Sequence, residues 1–219
     1  MSKSKMTKKQ TAEPPALLKL DLGCGKNKAE GFLGIDQRAF SGVDATTDFS
    51  RPGKWTFVTR QIGGVSLDAH TVGHGHPDCW TLPDSSVEAI HCSHFLEHLT
   101  GLQRVQFFNE MHRVLVPGGR VTIITPHWAS NRAYGDFTHQ WPPVSEMLFY
   151  YVRKEWRIAN APDNDIEWNP HGYSCDFEAT WGYGMHPELM HKNTDFQTFA
   201  MTWYKEAVQD THATLTARK

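Results

Sequence analysis

Two stretches concentrate the residue types that do chemistry. The first is Leu20-Asp21-Leu22-Gly23-Cys24-Gly25, an apolar run that enters a glycine turn, followed by Gly34-Ile35-Asp36. Glycine tolerates positive φ and lets a backbone approach a ligand closely. A dinucleotide site wants G-x-G-x-x-G with an acidic residue about 20 positions on. Here Lys28 stands where the third glycine would be, and Asp36 follows Gly25 by only 11 residues. That spacing argues against a nicotinamide dinucleotide and for a shorter loop around a cofactor without pyrophosphate.

The second stretch runs from Pro126 to Trp141 and holds His127, Arg132, Asp136 and His139 among Trp128, Tyr134, Phe137 and Trp141. It reads as a substrate wall, with a loop pinned by its aromatic rings as the alternative. A histidine in it could take a proton from an acceptor. His139 is favoured as the base, with Asp136 three residues earlier fixing its tautomer, and His127 is read as a wall residue. A metal reading has candidates in His70, His74, His76, Asp78 and Cys79, but their spacing fits no zinc-finger pattern. Glu97-His98 does not complete an H-E-x-x-H motif. No metal site is expected. An Asn/Asp-Pro-Pro-Tyr/Phe motif is absent, and so is a Pro-Cys pair. DNA amino-methylation and cytosine-C5 methylation are therefore disfavoured.

The elements that must carry these residues follow from periodicity. Strands are expected at 17–22, 32–35, 43–45, 87–92 and 120–125. Val105, Phe108, Met111, Val114 and Leu115 fall at helical spacing, so a helix is expected over 102–115, stopped by Pro117-Gly118-Gly119. A further helix is expected from Pro142-Pro143 to about Trp156, a strand over 175–181 paired with 166–168, and a long final helix over 194–214. Residues 51–80 show no clear period and read as an inserted loop region at the substrate mouth. Strands alternating with helices imply an α/β fold, a mostly parallel sheet wrapped by helices. Ligands bind such sheets beyond the carboxyl ends of the strands. The first crossover, 24–31, is too short for the usual helix and should shrink to a turn.

Composition bounds the rest. The chain has 219 residues, 39% hydrophobic and 21% charged, with a formal charge of −2. This is enough for one core and carries no global basic field for nucleic acid. Residues 1–15 hold four lysines and no apolar period, so they read as a disordered tail before one domain over 16–219. No apolar run reaches membrane-helix length. Four scattered cysteines without a signal peptide point to a reduced, cytoplasmic protein.

Taken together, Asp21-Leu22-Gly23-Cys24-Gly25, Gly34-Ile35-Asp36, the segment Leu82 to Ile90, Ser93-His94-Phe95-Leu96-Glu97-His98-Leu99 and the segment Glu110 to Gly119 resemble the class I S-adenosylmethionine-dependent methyltransferases, in particular the methyltransferase type 11 group. The resemblance covers roughly residues 17–126. It implies a Rossmann-like fold with S-adenosyl-L-methionine as cofactor and an O or N acceptor that the sequence does not name. It implies that Gly23, Cys24 and Gly25 pack against the cofactor and that Asp21 holds the loop or meets the amino group. It further implies that Asp36 accepts from the ribose hydroxyls, that Asp48 with Phe49 lies beside the adenine, and that Ser93 and His94 line the sulfonium side. The alternative is a non-catalytic binding or regulatory protein on the same fold.

Overall fold

The computed structural model describes residues 17–51, 53–59, 61–62, 65–66 and 79–219. The tail at 1–15 and the candidates His70, His74, His76 and Asp78 lie outside the described residues. Strands β1 (Leu18–Leu22), β2 (Leu33–Asp36) and β3 (Ala45–Thr46) are followed by β4 (Thr56–Thr59), β5 (Gln61–Ile62), β6 (Val65–Ser66) and β7 (Cys79–Thr81). Then come β8 (Val87–Ser93), helix α1 (Gly101–Val114), β9 (Leu115–Pro126), α2 (Glu146–Tyr151), α3 (Lys154–Asn160), β10 (Phe177–Met185), α4 (Thr194–Trp203) and β11 (Val208–Ala217).

Nine of these strands form one sheet in the order β10-β11-β9-β8-β1-β2-β3-β4-β7. The centre, from β9 through β8, β1 and β2 to β3, is parallel. At one edge β11 enters antiparallel between β9 and β10. This is the Rossmann-like, mostly parallel sheet flanked by helices expected from the sequence. Among the described residues no helix is long and apolar enough to cross a membrane.

Helix α1 forms where its apolar residues recur at helical spacing, and its start is capped from both sides. The Gln103 amide donates to Thr100 Oγ1 at 3.4 Å, and the Thr100 amide donates to Gln103 Oε1 at 2.8 Å. Its face of Phe107, Phe108, Met111 and Val114 is fully buried with Ile90, Val121 and Ile123 of the sheet. Along β9 and β11 apolar and polar residues alternate, so Val121, Ile123, Ala213 and Leu215 point inward while Thr122, His212 and Thr214 are exposed.

Between β1 and β2 there is no helix, only turns, so the short first crossover is a loop. Four expectations need correction. The helix over 194–214 ends at Trp203, and its second half is strand β11, because Val208–Ala217 alternates with period two and finds β9 and β10 on either side. The strand near 175–181 begins at Phe177 and pairs with β11 rather than with 166–168. The helix through Trp156 is two helices, separated at Val152–Arg153. Within 51–80, Thr56–Thr59 is a strand of the sheet rather than loop, paired with β3 on one side and β7 on the other, and Trp55 and Phe57 are core residues.

Candidate functional site

The residues singled out by type and spacing lie at or beyond the carboxyl ends of β1, β2, β3, β8 and β9, in two groups. The first surrounds the glycine turn. Gly23 and Gly25 adopt φ of +71° and +55°, which a side chain resists. Their surroundings differ. A Cβ on Gly23 would lie 2.2 Å from Phe95 Cγ, whereas a Cβ on Gly25 would meet nothing within 4 Å among the described residues. Gly23 is therefore packed against protein, and Gly25 borders open space.

The carboxylates of this group hold backbone. Asp21 is buried; its Oδ2 accepts from the Ala29 amide at 2.7 Å and its Oδ1 meets His91 Nδ1 at 2.8 Å. That hydrogen bond raises the His91 pKa against the opposing effect of burial. Asp36 Oδ2 accepts from the Gly25 amide at 2.8 Å, and Oδ1 from the Arg38 amide at 3.0 Å. A loop too short for a helix thus takes its amide partners from side chains. Each Asp36 oxygen keeps a second lone pair. Cys24 lies buried under the turn, and burial, reinforced by Asp21 and Asp36, pushes its thiol up to about 12. A thiol so poorly ionised is no nucleophile at neutral pH.

Asp48 Oδ1 accepts from the Ser50 amide at 3.0 Å, and Oδ2 pairs with Arg51 Nε at 2.9 Å. Phe49 is 1% exposed, and its ring packs edge-on against Phe95 and Trp55. The side chain expected beside an adenine is therefore a core residue. The apolar pattern could not distinguish the two, because an aromatic after a strand suits either.

The second group lies beyond β8 and β9. Ser93 is the last residue of β8, half-buried, and His94 follows with φ of +52°, uncommon outside glycine. Its Nδ1 stands 3.3 Å from Glu97 Oε1, and this hydrogen bond raises the His94 pKa. The buried Glu97 also accepts from Thr125 Oγ1 at 3.3 Å. His98 Nδ1 lies 2.9 Å from Thr138 Oγ1, and that hydroxyl donates to Asp136 Oδ1 at 2.7 Å. The hydroxyl proton is thus committed, which makes His98 Nδ1–H the donor. His139 Nδ1 donates to the Ala133 carbonyl at 3.2 Å. The His98 and His139 rings meet edge to face, 4.8 Å between centroids.

Two of the expected roles change here. Asp136 does not reach the His139 ring; it accepts from the Thr138 amide and hydroxyl, and these hydrogen bonds lower its pKa. The Ala133 carbonyl fixes the His139 tautomer instead. His127 is buried, and both of its nitrogens are engaged. Nδ1 accepts from the Ala129 amide at 3.2 Å, so Nε2–H donates to Glu146 Oε1 at 2.9 Å. Trp128 Nε1 donates to the other Glu146 oxygen at 3.0 Å. Burial raises the Glu146 pKa, but the hydrogen bonds from His127, its own amide and Tyr183 outweigh it, so the net shift is downward. His127 therefore pins its loop and has no nitrogen left for a substrate.

Sequence reasoning missed Arg104. Its buried guanidinium donates to the carbonyls of Leu96 at 3.2 Å, Gln140 at 3.2 Å and Pro142 at 2.6 Å. The Gln140 amide also donates to the Glu97 carbonyl at 2.9 Å. Together they tie the turn bearing Glu97-His98 to the segment bearing His139. Beside this segment lies a cavity of about 410 Å³, walled by Trp128, Tyr134, Trp203 and Tyr204 and reached by Lys205.

Residues 20–123 match the family model described as a methyltransferase domain. An uncharacterized methyltransferase of Synechocystis is 23% identical over 143 residues, covering 65% of this chain. The match spans 60% of that relative's own length. Among solved structures, a SAM-dependent methyltransferase from Archaeoglobus fulgidus aligns with a TM-score of 0.53 and 17% identity, covering 92% of this chain and 86% of the other. An S-adenosylmethionine-dependent methyltransferase from Mesorhizobium loti aligns at 0.42 and 15% identity, covering 91% of this chain and 90% of its own.

Proposed function

We propose that this chain, whose residues 20–123 match the family model described as a methyltransferase domain, is a class I S-adenosylmethionine-dependent methyltransferase acting on an oxygen or nitrogen acceptor. The observation that carries the reading is the edge formed by Gly25 and Asp36. A glycine at positive φ borders open space, and directly across the turn stands a carboxylate with lone pairs to spare. That donor set fits a ribose diol, whose two hydroxyls both donate to a carboxylate with charge assistance. When bound, the cofactor supplies a methyl group on a sulfonium cation.

The chain's own residues would divide the work as follows. Asp36 holds the diol, and Gly25 lets the cofactor approach the backbone. Asp21 acts on the loop and not on the ligand, since both of its oxygens are occupied by His91 and the Ala29 amide. Cys24 and Gly23 support the turn from beneath, and Asp48 holds the chain after β3. Ser93 and His94, at the end of β8, face the methyl-bearing side. Methyl transfer is an in-line displacement, so much of the rate comes from alignment of acceptor and donor. Of His139, His127 and Asp136, His139 is the residue that faces the acceptor, because its Nε2 is unengaged among the described residues. The aromatic walls of Trp128, Tyr134 and Trp203 suit a planar or apolar acceptor at the same edge. A reduced, cytoplasmic setting belongs to this proposal.

Calorimetric titration with S-adenosylmethionine and S-adenosylhomocysteine tests the reading. Binding of both is expected, with affinity falling roughly 10- to 100-fold in Asp36→Ala, since a lost charge-assisted hydrogen bond costs about 1.5–3 kcal/mol. Absence of binding by the folded wild-type chain overturns the proposal. Binding without turnover on any acceptor class favours the regulatory alternative.

A further inference from the structure

We propose that Glu97, His98 and His139 form a binding site for a divalent transition-metal ion. One candidate ligand atom from each lies within 4.8 Å of the other two. Glu97 is buried, and both histidines are half-buried. The set of two imidazoles and one carboxylate suits borderline ions such as Zn(II), Co(II) or Fe(II), and disfavours calcium or magnesium, which prefer oxygen.

A second observation is independent of this convergence. Metal-bound histidines nearly always donate their other ring N–H to a carboxylate, a carbonyl or water, which fixes tautomer and orientation. His139 is already held in that way by a carbonyl, and His98 by a hydroxyl that passes its own proton to a carboxylate. His98 Nδ1–H donates to Thr138 Oγ1, whose own proton goes to Asp136, and His139 Nδ1–H donates to the Ala133 carbonyl. The nitrogen left on each ring for a metal is Nε2. The Glu97 carboxylate is oriented likewise, one oxygen by His94 and the other by Thr125. These outer contacts come from three segments, the turn at His94, the end of β9 at Thr125 and the loop of Ala133 and Thr138, and Arg104 and the Gln140 amide hold the two ligand-bearing turns together.

Distance sets what binding must do. Ligands about 2.0–2.1 Å from a metal, as for zinc and histidine, stand about 3.4 Å apart in a tetrahedron. The three groups, within 4.8 Å of one another, must therefore draw in by up to about 1.4 Å, a side-chain movement. Three protein ligands leave at least one position open, as catalytic metal sites do. With the ion bound, His139 Nε2 is a ligand, so the open metal position and not the ring would meet the acceptor placed at this edge above. The site itself does not depend on the methyl-transfer reading, since a metal can be titrated without any methyl donor.

The test uses the full chain, stripped with chelator and titrated with Zn(II) by calorimetry and with Co(II) by visible absorption. One equivalent is expected, with Co(II) bands of low-symmetry coordination. His98→Ala and His139→Ala should each weaken Zn(II) binding by at least about 10-fold, while circular dichroism stays native. Thr138→Val, which keeps all three ligands but removes the His98 acceptor, should weaken it by about 10-fold. His74→Ala should leave it unchanged. The proposal is overturned if the stripped wild-type chain takes up no stoichiometric Zn(II). It is equally overturned if a folded His98→Ala/His139→Ala double variant binds as the wild type does, or if only His74→Ala abolishes binding. Failure of S-adenosylmethionine to bind a chain that takes up one Zn(II) would sink the methyl-transfer reading alone.

Discussion

The turns after β1 and β2 and the turns after β8 and β9 both gather carboxylates and histidines, but they spend them differently. Around the first pair the carboxylates chiefly hold loop amides, Asp21 bonding His91 as well. Asp21 takes the Ala29 amide, and Asp36 takes those of Gly25 and Arg38. Around the second pair the carboxylates also take side chains, Glu97 those of His94 and Thr125 and Asp136 that of Thr138, and among the described residues His98 and His139 each retain an unengaged ring nitrogen. The physical reason is the length of the connections. A crossover without a helix leaves amides that need acceptors. The chain after β8 instead enters a capped helix, and α1 satisfies its own backbone. The lesson is that a polar cluster at a strand end is free for ligand chemistry in proportion to how well the local backbone satisfies itself.

The largest expected effect breaks the contrast inside the glycine turn. Gly23→Ala drives a Cβ into the Phe95 ring at a positive φ and should destabilise the chain by about 3 kcal/mol or more. Gly25→Ala, with open space around it, should cost only about 1–2 kcal/mol for the backbone conformation. Urea unfolding of the two variants checks this, and equal losses would mean that Phe95 does not seal the turn. Next in size is Arg104→Met, which removes the cation that joins the turns of the second group. It leaves the Gln140 and Pro142 carbonyls without their donor and should cost about 2 kcal/mol. Hydrogen exchange should then rise in 136–142 more than at the glycine turn; an even rise would make Arg104 a general core residue.

The smallest effect sharpens the comparison through pH. His91 has its pKa raised by Asp21, so its contribution to stability is fully present below the unfolded value near 6.5 and is lost as pH rises through the higher folded value. Thermal stability of the wild type should fall over that window, and the fall should flatten in His91→Gln. A pH profile identical in the two proteins would show that the pair with Asp21 contributes nothing.

Much of the frame was legible in the chain. Richness in β-branched residues marked β9, the helical spacing from Val105 to Leu115 marked α1, and the short stretch from Cys24 to Gly31 foretold a crossover without a helix. Local pattern misled where pairing decides the state. Thr194–Ala217 is polar and apolar by turns throughout, and only the open slot between β9 and β10 makes its second half a strand.

The same division runs through the candidate site. Sequence alone determined the types and order of the reactive residues, since glycines at the end of a buried strand and carboxylates after the next are local features with local causes. The tertiary structure alone decided which of them are free. Phe49 went into the core, and His127 was consumed by the Ala129 amide and Glu146. His98 and His139, 41 residues apart, were brought ring to ring by the parallel pairing of β8 with β9 and by the Arg104 guanidinium. Hydrogen-bond partners are distributed over the whole fold, and the availability of a lone pair is settled only after every nearer claim on it has been met.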